Sequence, residues 1–133
     1  MVRNFIIIVI LTICTTAYAE EKRDNPVAKE VFRVRLFFGL SIPDGSAVSL
    51  HDWNEFLSKD IAAAFDGFNV VDSTGFYKGR AERSKIVTII ANEDEINKVK
   101  EIARKYAKKF KQDSVMMVKV PVNEWDFIKI DKK

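Results

Sequence analysis

The chain has 133 residues, with 22 Lys and Arg against 19 Asp and Glu, a formal net charge of +3. So mild a balance gives no electrostatic reason to expect nucleic acid as a partner. One cysteine and one histidine exclude a disulfide framework and a multi-ligand zinc site. The chain also lacks a glycine-rich phosphate loop, a G-x-S-x-G elbow and an HExxH pair, so neither a cofactor nor a metal is expected.

Residues 1–19, MVRNFIIIVILTICTTAYA, carry one positive charge at Arg3 and an apolar run from Phe5 to Ile13. They end in Ala17-Tyr18-Ala19, the pattern of a cleaved secretory signal peptide. The run is far short of the ~20 apolar residues that a membrane span needs. Cleavage after Ala19, export to a periplasm and no later membrane span are therefore expected. Cys14 follows Ile13, where lipidation requires a small residue, so a lipoprotein is not. The mature chain would hold about 114 residues, enough for one domain, and no cysteine. Arg3 is the only charge in the leader, so the net charge would fall from +3 to +2. Residues 20–30, EEKRDNPVAKE, read as a flexible lead-in. A single domain over 31–122 and a C-terminal tail over 123–133 complete the division.

Phe32 to Ile42 alternates strictly, with Phe32, Val34, Leu36, Phe38, Leu40 and Ile42 on one face, which predicts a first strand. Pro43-Asp44-Gly45 is a turn signal, because proline presets φ and glycine admits positive φ. Ser49, with Asp52 three residues on, marks the start of a helix. Leu50, Trp53, Phe56, Leu57, Ile61, Ala64 and Phe65 form its apolar stripe. Asp66-Gly67 ends that helix. A second strand is predicted over Phe68–Tyr77, a charged link KGRAER over Lys78–Arg83, and a third strand over Lys85–Ala91.

Asn92 with Glu95 caps a second helix reaching about Lys111, with Ile96, Val99, Ile102, Ala103, Tyr106 and Phe110 as its stripe. A fourth strand spans Ser114–Val122. The order β-α-β-β-α-β predicts an α+β, ferredoxin-like split fold: a four-stranded antiparallel sheet with two helices on one face. Arg33, Arg35 and Phe37 then point to the face that no helix covers.

Little in the chain promises chemistry. His51, near the start of the first helix, is a weak candidate general base or haem ligand, because surface positions at a helix start are usually just solvated. Glu93, Asp94 and Glu95 suit the positive end of the second helix, and Lys105, Lys108, Lys109 and Lys111 suit its other end. Asp72 is the one acid to watch, because it sits in sequence among Phe76, Tyr77 and the basic link. The candidate binding constellation is Arg33, Arg35 and Phe37 on the open face, with Tyr77, Arg80, Arg83 and Lys85 around the hairpin. Arginine forks hold carboxylates and phosphates, and aromatic neighbours add stacking. RNA-binding sheets use strand aromatics in this way, but only Phe37 is placed to do so here.

Strand three is apolar on both faces, with Ile86 and Ile90 on one and Val87 and Ile89 on the other. Strand four sets Met116, Val118, Val120 and Val122 against Val115, Met117 and Lys119. A sheet apolar on both sides needs a cover on each. A second copy packed sheet to sheet would supply one, and so would the Trp125–Ile130 tail folded across.

Phe38-Gly-Leu-Ser41 followed by Pro43-Asp-Gly45, then Val48-Ser49 and Trp53 with Phe56, resembles the bacterial domain of unknown function 3574. Asp72 with Gly75 and Phe76, then Glu82 and Ser84-Lys85, continue the likeness, although Phe76 stands where that family leads one to expect tryptophan. Tyr106 and Phe110 before Gln112-Asp-Ser-Val115 complete it, so that the similarity runs from about Phe32 to Val120. The resemblance implies export and this fold, and it implies no reaction. The expected function is a small exported binding module that uses its open sheet face on a second copy, an unknown protein or a small anionic ligand. A small-molecule enzyme is the alternative. In it, Arg33 and Arg35 would clamp an anionic substrate while Asp72 or His51 moves a proton.

Overall fold

The computed structural model describes residues 29–130. The leader with Cys14, most of the predicted lead-in and the last three residues lie outside them. The first strand, β1 (Val31–Gly39), buries Phe32, Val34, Leu36 and Phe38 and leaves Arg33 and Arg35 exposed. Alternate residues of a strand point to opposite faces, so this one segment already decides which side of the sheet is dry.

Residues 40–49 form a tight connection. Gly45 takes φ +86°, its N–H donates to the Ile42 carbonyl at 3.0 Å, and the Ile42 N–H donates to the Ser46 carbonyl at 2.9 Å. Helix α1 (Leu50–Phe56) starts on Ser49, whose Oγ accepts from the Asp52 N–H at 3.0 Å and donates to its carboxylate at 2.6 Å. Its last turn widens into a π turn over Leu57–Ile61, closed by the Ala62 N–H donating to the Leu57 carbonyl at 2.9 Å. An uninterrupted α-helix would carry Ile61 about 80° around from Trp53. The wider turn brings it back, and Trp53, Phe56, Ile61 and Phe65 all reach the core. Leu50 departs from the predicted stripe, since it is 67 % exposed.

Strand β2 (Asn69–Tyr77) and strand β3 (Arg80–Asn92) are joined by Lys78-Gly79 alone. The predicted six-residue link is therefore mostly strand. Both turn residues have positive φ, 49° and 77°, the conformation of the two-residue turn whose twist matches that of paired strands. Asn92 and Glu95 form the predicted capping box, each side chain bonding the other's backbone N–H, at 3.2 and 3.1 Å. A single 3-10 turn there leads into α2 (Ile96–Lys109). Strand β4 (Met116–Pro121) closes the sheet, whose order is β2-β3-β1-β4 with every pair antiparallel. The architecture is α+β, and no helix among the described residues is long and apolar enough to cross a membrane.

The core lies between the sheet and the helices. Phe38, Trp53, Phe56, Tyr106 and Phe110 form one aromatic cluster in it, with Phe38 and Tyr106 centroids 4.6 Å apart and Tyr106 and Phe110 4.7 Å apart. Tilted and edge-on contacts like these add about 0.5–1.5 kcal/mol per pair beyond the area they bury. Tyr106 is wholly buried, and its Oη donates to the Gly39 carbonyl at 2.7 Å, tying α2 to the end of β1.

Burial raises the Tyr106 pKa above its ordinary 10.0, because an ionised oxygen there would lose both water and its role as donor. The unfolded chain releases that proton near pH 10 and the folded chain keeps it, so stability should fall as pH rises through and beyond that point. Urea melts at a series of pH values check this. Tyr106→Phe should cost about 1 kcal/mol at neutral pH and lose stability less steeply than the parent above about pH 10. Parallel alkaline slopes would refute the assignment.

Candidate functional site

Arg33, Arg35 and Phe37 project from the face of the sheet opposite the helices, as their spacing requires. Strand register sets what lies beside them. Arg33 stands between Ile90 and Val120, Arg35 between Thr88 and Val118, and Phe37 between Ile86 and Met116. Asn69 and Val71 extend two of these rows onto β2. Val71, Ile90, Met116, Val118 and Val120 keep between 38 and 56 % of their surface exposed. This is a mainly apolar surface three to four strands wide, with two guanidinium groups on its central strand. Neither arginine has a carboxylate within ion-pair distance among the described residues.

The hairpin divides the remaining predicted residues. Tyr77 and Arg80 pair with each other and share the open face, as does Glu82 opposite Gly75. Arg83 and Lys85 fall on the helix side, because Lys85 aligns with the buried Phe38 and Arg83 is two residues from it. They therefore do not join the arginines of β1. Asp72 aligns with Lys85 and forms an ion pair with its ammonium, which stands 6.0 Å from the Trp53 ring centre. His51 is exposed on α1. The predicted anion clamp and its two candidate proton carriers thus sit on different sides of the sheet or away from it. Among the described residues no group of three or more His, Cys, Asp or Glu side chains could hold a metal.

The C-terminal tail reaches only one end of the open face. Trp125 and Phe127, their rings 5.7 Å apart, border a hollow of about 640 Å³ with Arg33, Thr88 and Ile90. Phe127 remains 76 % exposed, and Val71 and Met116 lie beyond the hollow, so the tail leaves most of the face open. Asn69, Val71 and Thr88 were not singled out in the sequence, and Glu82 only as part of the family likeness. The period-two pattern of β2 and β3 was the available signal, but it becomes specific only when the hairpin register is known.

Comparison with solved structures finds a phage SAM lyase in complex with S-methyl-5'-thioadenosine, at 21 % identity and a TM-score of 0.52, covering 69 % of this chain and 88 % of the other. The same phage enzyme in its apo state matches at 18 % identity and a TM-score of 0.48, covering 75 % and 96 %. At this identity the first likeness is one of fold alone. No curated protein matches the chain significantly. The family model described as protein of unknown function (DUF3574) matches residues 33–125, a span that takes in β1 from Arg33 onward, the other three strands and both helices. The chain belongs to the DUF3574 family.

Proposed function

We propose that this domain is an exported binding module whose open sheet face joins a second copy of itself, sheet to sheet. The observation that carries this reading is the exposed apolar surface of Val71, Ile90, Met116, Val118 and Val120 around Phe37, on the side of the sheet that no helix covers. Water against such a surface is unfavourable by about 25 cal/mol per Å² of apolar area. The ferredoxin-like reading of the fold is supported by the strand order β2-β3-β1-β4 with a helix in each crossover.

The position of the one acid on the face among the described residues, Glu82, suits a like partner. Along β3, Ile86 lies four residues from Ile90, which neighbours Arg33, and four residues from Glu82. A two-fold axis through the Ile86 row, lying across the strands, would set the arginine end of one copy over the Glu82 end of the other. Glu82 has no cationic partner within ion-pair distance among the described residues, so it is available for that role. An interface of this kind is self-complementary, as a closed dimer requires.

Gel filtration with light scattering on the mature chain should return twice the monomer mass. Replacing Phe37 and Val118 together by Asp should return the monomer mass, with the circular dichroism of the parent retained. A parent that stays monomeric at about 100 µM, where even a weak association would register, would overturn the reading.

Export rests on the N-terminal pattern of residues 1–19. N-terminal sequencing of protein recovered from the periplasmic fraction should begin at Glu20. Recovery only from the cytoplasm, or a chain still beginning at Met1, would refute it.

A further inference from the structure

We propose that a cleft on the helix side of the sheet binds a small monoanion with an apolar body, such as an aromatic carboxylate. The cleft holds about 350 Å³ between the connection from β1 to α1 and the strand β3. That is within the size range of small-molecule sites. It lies on the opposite side of the sheet from the face assigned to a second copy, and neither proposal depends on the other.

The floor of the cleft is apolar, made by Leu40, Val48 and the indole of Trp53. Its wall is fixed by backbone bonds. The Leu40 N–H donates to the Arg83 carbonyl at 3.0 Å, and the Val48 N–H donates to the Leu40 carbonyl at 2.8 Å. The Gln112 side chain donates to the Ser41 carbonyl at 2.8 Å. A wall held in this way need not be ordered by the ligand, which removes one cost of binding. The exposed Leu50, which left the predicted apolar stripe of its helix, forms part of the rim.

Two cations line the β3 side, and they differ. The Lys85 side chain is only 12 % exposed and its ammonium is held by Asp72, so it contributes fixed N–H donors more than free charge. Arg83, two residues away on the same side of β3, is exposed and has no carboxylate within ion-pair distance among the described residues. The nearby Asp52 carboxylate is engaged by Ser49 Oγ at 2.6 Å. One unspent guanidinium beside an apolar floor complements one carboxylate on a flat or branched hydrocarbon. The carboxylate would take the Arg83 fork, and the hydrocarbon would lie on Trp53, Leu40 and Val48.

The probe is 2-naphthoate, with neutral 2-naphthamide as its uncharged counterpart. The chain has two tryptophans, so Trp125→Phe leaves Trp53 as the only indole reporter. Naphthoate should quench Trp53 saturably, with a dissociation constant below about 1 mM. Naphthamide should bind about tenfold or more weakly, as loss of a charge-assisted pair implies. Arg83→Gln should remove that difference, and Leu50→Asp at the exposed rim should weaken naphthoate further. Arg33→Gln, on the other face, should change neither ligand. Thermal melts establish that each variant is folded. Equal affinity for the two probes, naphthoate binding unchanged in Arg83→Gln, or no saturable quenching would each overturn the proposal.

Discussion

The aromatic contact of Phe38 with Trp53, Phe56 and Tyr106 is the interaction on which the rest of this structure depends. Phe38 lies on the central strand, Trp53 and Phe56 on the first helix, and Tyr106 on the second, and their ring centres lie 4.6 to 5.9 Å from that of Phe38. One side chain therefore fixes both helices to the same side of the sheet. The hydrogen bond from Tyr106 to the Gly39 carbonyl satisfies the phenol oxygen that the cluster buries, and no buried side-chain polar atom is left without a partner among the described residues. Once Phe38 points inward, strand geometry leaves Arg33, Arg35 and Phe37 no choice but to point outward.

Two surfaces of different character follow from that single decision. The outward surface is broad and mainly apolar, with Arg33 and Arg35 on its central strand and Arg80 and Glu82 on the hairpin. Such a surface fits another protein face better than a small molecule, because it offers area without enclosure. On the helix side a concave surface opens where the chain leaves β1 to reach α1, with Arg83 and Lys85 lining it. The hairpin serves both sides, since consecutive residues of β3 alternate between them. Tyr77, Arg80 and Glu82 belong to the broad face, whereas Arg83, Lys85 and Asp72 belong to the cleft side. A reading that gathers these residues by sequence proximity merges two surfaces that the sheet separates.

Much of this was legible in the sequence, for identifiable reasons. The strict alternation from Phe32 to Ile42, the Ser49–Asp52 start and the Asn92–Glu95 box are local signals that need no tertiary information; the cap and the box appear where they were expected, and the strand does too except that it ends at Gly39, three residues early. The open face was legible for the same reason, since strand parity is a local property. The division of the hairpin was not. Lys78-Gly79 looked like the start of a six-residue charged loop reaching Arg83, because Gly79, Ala81 and Glu82 are residue types depleted in strands. Positive φ at both turn residues and pairing with β2 override that preference. The π turn was also invisible, because a helical stripe read at a constant 3.6 residues per turn has no place for an inserted residue.

The central claim is that two copies meet across the Ile86 row, and a thiol placed on that row tests it most directly. Cys14 is the only natural cysteine and lies in the leader, so a mature chain carrying Ile86→Cys would hold a single thiol. Two such residues related by the proposed axis would face each other across the packed sheets and oxidise to a disulfide-linked dimer. A matched Ser58→Cys chain, with its thiol exposed on the helix side, should crosslink only by slow random collision. Rapid dimer formation by Ile86→Cys alone, seen by non-reducing electrophoresis, is the expected result. Equal and slow crosslinking of the two chains would contradict it.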